Sequence, residues 1–213
     1  MKDIAIYGAG GFGREVACLI NSINSVNPQW NLIGFYDDGL EIASINKYGK
    51  ILGGVDDLNV LTDNLAIVIA IGSPDVLYNI LSKITNDKIY FPNIISPDLL
   101  FLDESTLKLG IGNIICSKSI ISCDVEINDF NIMNISVTVG HDTKIGSYNV
   151  IMPSVNISGT VSIGNRNFFG VSSVVLQQIK IGNGVRIGAG SVIMRQPVDN
   201  ELYFGVPAIK IKY

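Results

Sequence analysis

The chain has 213 residues, enough for one large domain or two modest ones, and 47% hydrophobic against 16% charged residues describes a globular protein with a buried core. A formal net charge of −4 gives no basic footprint for a phosphate backbone, which argues against nucleic acid as a partner. No run approaches 18 uninterrupted apolar residues and the N-terminus lacks an apolar signal core, so a cytoplasmic protein without membrane insertion is expected.

The apolar run 4–7 leads into Gly8, Gly10 and Gly13, a G-x-G-x-x-G spacing, and Val16, Leu19, Ile20 and Ile23 follow at helical intervals. That order predicts strand, glycine turn, helix. A second strand is predicted at 32–36, ending on Asp37 and Asp38, and a third at 66–72, apolar throughout and therefore buried on both faces. Ser73 and Pro74 then read as the cap and first residue of a helix carrying Val76, Leu77, Ile80, Leu81 and Ile84. The alternation implies a small Rossmann-like parallel α/β sheet of three or four strands over residues 1–90, too few for the two mononucleotide halves of a dinucleotide fold. Three meanings of the glycine turn stay open: an NAD site, a cradle for the diphosphate of another ligand at a helix N-terminus, or a tight turn against the sheet. Pro92 and Pro97 punctuate the passage that follows, which places the domain change within 88–100.

From Leu109 every sixth residue is large and apolar: Ile115, Ile121, Ile127, Met133, Val139 and so on to Ile193, fifteen in succession. At this composition chance would supply such a run with odds on the order of one in 10⁵. Six residues turn an α-helix through roughly 600°, so the period cannot mark one helical face. Short strands joined by tight turns fit: three hexapeptides make an 18-residue triangular coil, and stacked coils bury a line of apolar side chains that no single repeat could bury. Residues 91–213 are accordingly expected to form a parallel β-solenoid with a short C-terminal extension, whose handedness the period does not give. Asn128, Gly146, Gly164, Asn165, Gly182 and Asn183 are expected at its corners, taking the positive φ that turns require. Cys18, Cys116 and Cys123 lack CxxC spacing, which predicts free buried thiols and no metal site. The single histidine, His141, stands in TVGHDTKIG two residues after the core position Val139, where the chain should leave the core at a corner.

IYGAGGFGREV at the N-terminus, then GFYDD, AIG, a hexapeptide solenoid containing GHD, and FGVPA near the C-terminus together resemble the bacterial sugar acyltransferases of the sialic acid O-acetyltransferase and UDP-4-amino-sugar N-acetyltransferase type. The resemblance covers nearly the whole chain. It implies a left-handed parallel β-helix, a homotrimer with active sites between protomers, acetyl-CoA as donor, and a nucleotide sugar bound by the N-terminal domain. Acetylation of the amino group of a UDP-linked 4-amino sugar is the expected reaction, with O-acetylation of sialic acid or another sugar as its alternative. A nicotinamide-dependent oxidoreductase and a non-catalytic solenoid that binds nucleotide sugars are the readings from other classes.

On this resemblance His141 matches the general base, Asp142 its acidic neighbour and Asn134 a polar position near the acceptor. The chemistry is sensible in itself, since an imidazole of ordinary pKa near ~6.5 can take a proton from an amine at neutral pH, and a carboxylate beside it fixes the productive tautomer. Adjacent side chains on an extended strand point apart, so Asp142 could serve its own histidine only if the backbone turns there; otherwise it would serve a neighbouring protomer. Gly10, Gly11, Phe12, Asp37, Asp38 and Gly72 match the nucleotide-sugar pocket, with Phe12 standing where some members carry histidine. Gly159, Gly170, Val171 and Ala189 match positions that line the CoA arm, as does Val150, where some members place a second histidine against the donor. Arg195, Lys210 and Lys212 are cations that could meet the CoA 3′-phosphate. Cys116 and Cys123 have no neighbouring base in sequence, so no acyl-enzyme is expected.

Overall fold

The computed structural model describes residues 1–211, and by contact the chain divides into two compact units between Pro97 and Asp98. In the first unit, β1 (Lys2–Tyr7) is followed by α1 (Gly11–Val26), β2 (Trp30–Tyr36), β3 (Ile45–Asn46), β4 (Gly49–Gly53), α2 (Val55–Asn59), β5 (Leu65–Ile69), α3 (Pro74–Lys83) and β6 (Ile89–Tyr90). Six strands, rather than three or four, share one sheet in the order β3-β4-β2-β1-β5-β6. The additional strands are short or glycine-bounded: β3 and β4 form an antiparallel hairpin, while β4 and β6 add to the edges of the parallel core. Val16, Leu19, Ile20 and Ile23 are buried on one face of α1, as the helical spacing predicts, and every residue of β5 is buried. At α3, Pro74 occupies the first turn as expected, but the Ser73 side chain makes no capping bond and Val76 is exposed, because the buried stripe runs through Pro74, Leu77 and Ile80.

The second unit is the solenoid. Two-residue strands pair in parallel with the strand 18 residues on, as in Ile114↔Ile132, Thr138↔Asn156 and Lys144↔Ser162, and the pairs build three parallel sheets. The six-residue line of large apolar side chains fills the interior: Ile115, Ile121, Met133, Ile151, Phe169 and Val175 are all wholly buried. The last coil closes differently. Leu202–Phe204 pairs in parallel with Arg186–Ile187, and Ile209–Ile211 then folds back antiparallel upon it, with Lys210 Nζ donating to Glu201 Oε1 at 2.6 Å.

The corners are not built as the glycine and asparagine positions suggest. Asn128, Gly146, Gly164, Asn165, Gly182 and Asn183 all avoid positive φ. The left-handed residue is the third after each core position, Lys118, Asp124, Phe130 and so on to Gln178, with φ from 54 to 63° at eleven successive non-glycine residues. Each costs about 1–2 kcal/mol of backbone strain. The conformation is held because the amide of each such residue reaches the preceding coil: Tyr148 N–H donates to Asp129 O at 3.0 Å and Thr160 N–H to His141 O at 2.7 Å. Glycines such as Gly146 and Gly164 serve close packing instead, since a Cβ on Gly146 would stand 2.5 Å from the Gly164 carbonyl oxygen on the next coil.

A second ladder runs inside one corner. Asn113, Asn131, Asn149 and Asn167 lie 18 residues apart, wholly buried; the Oδ1 of each of the first three receives the amide and the side-chain Nδ2 of the next, at 2.8 and 3.2 Å for Asn131 on Asn113, and Asn167 Oδ1 receives Val185 N–H at 2.7 Å. Of the thiols, only Cys116 is buried; Cys123 is half-buried, and Cys18 is exposed beside Tyr48 Oη at 3.3 Å, because it lies on the solvent face of α1.

Outside, one solenoid face carries an ion ladder in which Glu126 Oε1 receives Lys108 Nζ at 3.0 Å and Lys144 Nζ at 3.2 Å. The bond from Lys108, and then that from Lys144, lowers the Glu126 pKa. A carboxyl depressed by folding contributes stability above its unfolded pKa and loses it as pH falls through the folded value. The melting temperature of wild type should therefore exceed that of Glu126→Gln slightly at neutral pH, with the gap closing in acid and in high salt; a gap that survives pH 2 would contradict the ladder.

Candidate active site

His141 lies at the corner that follows the strand Thr138–Val139. The corner is pinned to both neighbouring coils: Gly140 N–H donates to Ile157 O at 2.8 Å and Asp142 N–H to Cys123 O at 3.2 Å. Asp142 is one of the left-handed residues, with φ 57°. That turn swings its carboxylate back onto the preceding side chain, and His141 Nδ1 and Asp142 Oδ2 meet at 2.7 Å, so the two pair within one chain. A carboxylate only accepts, so Nδ1 carries the proton and the lone pair lies on Nε2. Both side chains are about 60% exposed, the histidine 60% and the aspartate 59%. The imidazole rests on Gly159, one coil on, where a Cβ would stand 2.6 Å from Nε2.

The remaining solenoid residues divide between two corners. Asn134 opens the corner before Thr138–Val139, on the other side of that strand from His141; it is 8% exposed and its Oδ1 accepts Ile135 N–H at 2.7 Å. Gly170, Val171 and Ala189 share that side. A Cβ on Gly170 would stand 2.5 Å from Ala189 N, and Val171, 42% exposed, accepts Gly190 N–H at 2.8 Å. Val150 is 1% exposed, so it offers no side-chain surface to a donor; its strand Val150–Ile151 is buried at both residues. The sheet between the two corners presents Ile120 as an exposed apolar side chain, and Leu176 and Met194 are exposed directly after its strands, on the histidine side. Lys210 is bound to Glu201, and Lys212 lies outside the described residues.

In the first unit the glycines separate by purpose. Gly8 (φ 103°) and Gly13 are packing glycines: a Cβ on Gly13 would run into the Gly8 carbonyl, and one on Gly8 would stand 2.8 Å from Ala70 O. Gly10, Gly11 and Gly72 are different, with open space around Gly10 and Gly72 and only the Arg14 guanidinium 4.0 Å from Gly11. Gly10 caps α1 without a side chain, leaving the first amides of a 16-residue helix aimed outward beside the half-buried Phe12. Asp37 braces the turn, its Oδ2 accepting Ala9 N–H and its Oδ1 accepting Gly39 N–H, both at 2.9 Å. Asp38 Oδ1 accepts Val55 N–H at 2.8 Å.

Asp37 and Asp38 also line an open pocket of about 620 Å³ with Gly53, Gly54, Asp56 and Asp57. Gly10, Gly11, Phe12 and Gly72 are not part of its wall. Tyr7, at the end of β1, was not singled out by the sequence: its Oη is buried without a geometrically satisfactory hydrogen bond, and burial first, then Asp38, Asp37 and Asp56, push its pKa far above the ordinary tyrosine range. The acidic pair after Gly54 is the signal that could have extended the pocket beyond Asp38. Among the described residues there is no cluster of three or more His, Cys, Asp or Glu able to hold a metal, and no helix long and apolar enough to cross a membrane.

Residues 3–84 match the family of PglD N-terminal domains, and residues 160–195 match the bacterial transferase hexapeptide family of six repeats. With the coils and the His141–Asp142 corner, this makes the chain a sugar acyltransferase of the left-handed β-helix family. Among solved structures it is similar to the acetyltransferase domain of PglB from Neisseria gonorrhoeae in complex with acetyl coenzyme A, at 27% identity over 99% of both chains with a TM-score of 0.88. WeeI from Acinetobacter baumannii is similar at 26% identity over 99% of this chain and 100% of that one, TM-score 0.87. PerB from Caulobacter crescentus, solved with CoA and GDP-perosamine, is similar at 25% identity over 100% of this chain and 98% of that one, TM-score 0.85. No match is found among curated protein sequences.

Proposed function

We propose that the protein transfers the acetyl group of acetyl-CoA to the amino group of a nucleotide-linked 4-amino sugar, with His141 as general base. The observation that carries this reading is the His141–Asp142 pair, which leaves the Nε2 lone pair free on an exposed corner. The amine attacks the thioester carbon while Nε2 removes its proton; the C–S bond then breaks and the imidazolium returns that proton to the CoA thiolate. A backbone amide stabilises the oxyanion in between. Residues 1–90 are read as the nucleotide-sugar domain, with the open amides of Gly11 and Phe12 for the diphosphate and the Asp37–Asp38 pocket for the rest of the nucleotide. Residues 91–213 are read as the acyltransferase domain, and the enzyme as cytoplasmic, where acetyl-CoA is made.

The protein is read as a homotrimer. His141, Asp142 and Gly159 lie at one corner of the solenoid and Asn134, Gly170, Val171 and Ala189 at the other corner of the same sheet, so neither corner holds the whole set. A head-to-tail contact repeated about a threefold axis joins one protomer's histidine corner to its neighbour's opposite corner, and covers the apolar face between them.

Thermal shift with acetyl-CoA, GDP-perosamine, UDP-linked 4-amino sugars and NAD, followed by mass analysis of products, tests the reading. A ligand at 100 times its Kd adds about 2.7 kcal/mol of stability. Acetyl-CoA and one nucleotide sugar should each stabilise the protein, and Gly10→Ala should weaken only the sugar response while leaving the ligand-free melting temperature unchanged. Stabilisation by NAD alone would sink the proposal. A product labile to hydroxylamine would be an ester and would move the reaction to O-acetylation.

A further inference from the structure

We infer that the pocket between Asp38 and α2 selects guanine: the carboxylates of Asp56 and Asp57 take the N1–H and N2 amino donors of the base, so the sugar is carried on GDP. The inference rests on the nucleotide-sugar reading above and names the nucleotide.

Charge decides which part of such a ligand can enter. Four carboxylates, Asp37, Asp38, Asp56 and Asp57, line the pocket against one cation, Lys83. They repel a diphosphate, which is left to the bare amides at the start of α1. The backbone donors of the wall are already engaged: Val55 N–H is held by Asp38 Oδ1 at 2.8 Å and Gly54 N–H by Asp57 Oδ2 at 2.7 Å. Asp57 Oδ1 and both oxygens of Asp56 receive no protein donor among the described residues, so this wall offers acceptors.

A second observation points to a ligand. Tyr7 is 2% exposed, and its Oη, buried without a satisfactory hydrogen bond, faces Asp38, then Asp37 and Asp56. Buried hydroxyls without partners are rare in folded proteins, and this one is aimed at the pocket's own carboxylates.

Guanine alone among the common bases carries two adjacent donors, N1–H and the N2 amino group, beside one acceptor, O6. A carboxylate only accepts and matches the donor pair, while the Tyr7 hydroxyl and the Lys83 ammonium are donors for O6. Uracil sets its one N–H between two carbonyl oxygens, so the same wall would hold a carboxylate against a carbonyl. Leu40 and Ile42, exposed in the same pocket, give an apolar side for the face of a purine, and about 620 Å³ has room for a nucleoside.

Calorimetric titration of the full chain with GDP, inosine diphosphate and UDP tests this without any acetyl transfer. GDP should bind about 10-fold or more tightly than UDP, with inosine diphosphate, which lacks only the N2 amino group, between them. Asp56→Ala removes an exposed side chain, and should weaken GDP by roughly 10-fold while leaving UDP and the melting temperature near wild type. Tyr7→Phe should weaken GDP and inosine diphosphate by a common factor, because both carry O6. Equal affinity for GDP and UDP, tighter UDP, or no binding of any of the three overturns the inference, and so does a GDP preference unchanged in both variants. A GDP preference in a protein that acetylates no GDP-linked amino sugar would reject the acetyl transfer proposed above and leave the guanine site standing; acetylation of UDP-linked sugars alone would do the reverse.

Discussion

Replacing His141 with alanine is expected to lower kcat by about 10²- to 10⁴-fold while leaving the melting temperature and CoA binding near wild type. The stability half of this expectation follows from exposure: the ring is 60% exposed and packs on a glycine, so its removal opens no cavity. The coil is held at that corner by backbone bonds from Gly140, Asp142 and Thr160, all of which alanine retains. The kinetic half follows from the Asp142 contact, which fixes the tautomer and leaves Nε2 to take the proton. Asp142→Asn should be milder than His141→Ala, because the base remains and only its orientation is relaxed. Steady-state release of CoA thiol with the acetylated acceptor verified by mass is the measurement, and turnover surviving in His141→Ala would remove the base from the mechanism.

The largest effect on stability is expected from Asn149→Ala, at roughly 3–5 kcal/mol. Asn149 is wholly buried at the centre of the asparagine ladder. Its Oδ1 accepts Asn167 N–H at 2.9 Å and Asn167 Nδ2 at 3.0 Å, while its Nδ2 donates to Asn131 Oδ1 at 2.9 Å and Gly164 O at 3.0 Å. Truncation removes the acceptor of the buried Asn167 amide and one acceptor of its side chain, at a cost of about 1–3 kcal/mol for each buried donor, and takes a bond from the half-buried Gly164 carbonyl. Asn149→Leu should not recover the loss, since the missing quantity is hydrogen bonding rather than volume. Denaturant unfolding compared with Asn156→Ala, an exposed asparagine on a neighbouring strand, tests this. Equal midpoints for the two variants would mean that the ladder contributes nothing.

Much of the fold is legible because one physical requirement repeats in the sequence. A solenoid must bury a large side chain at each strand, so Leu109 to Ile193 announce the period, and the spacing of 18 between paired strands follows from it. The corners are less legible, because positive φ is enforced by bonds to the preceding coil rather than by residue type; nothing in Lys118, Phe130 or Arg166 marks a left-handed residue. The asparagine ladder has its own signal, Asn at 113, 131, 149 and 167, which a six-residue comparison averages away and an 18-residue comparison shows. In the first unit, two-residue strands such as β3 and β6 are too short for alternation to appear. His141 and Asp142 are legible as chemistry and, through the corner, as geometry. The division of the other solenoid residues between two corners appears only in three dimensions, since Asn134 is close to His141 in the chain and separated from it by a strand.

The hairpin that ends the solenoid bears on a hazard common to every stack of parallel strands. A terminal coil presents unsatisfied amides and carbonyls in the register that a further coil would use, and a second molecule offering such a strand could extend the stack indefinitely. By reversing direction, Ile209–Ile211 occupies the growing edge of one sheet with a strand of the wrong polarity and sets the Lys210–Glu201 pair beside it. That edge is thus closed to a further parallel strand, and removing the returning strand should raise the tendency of the protein to associate end to end.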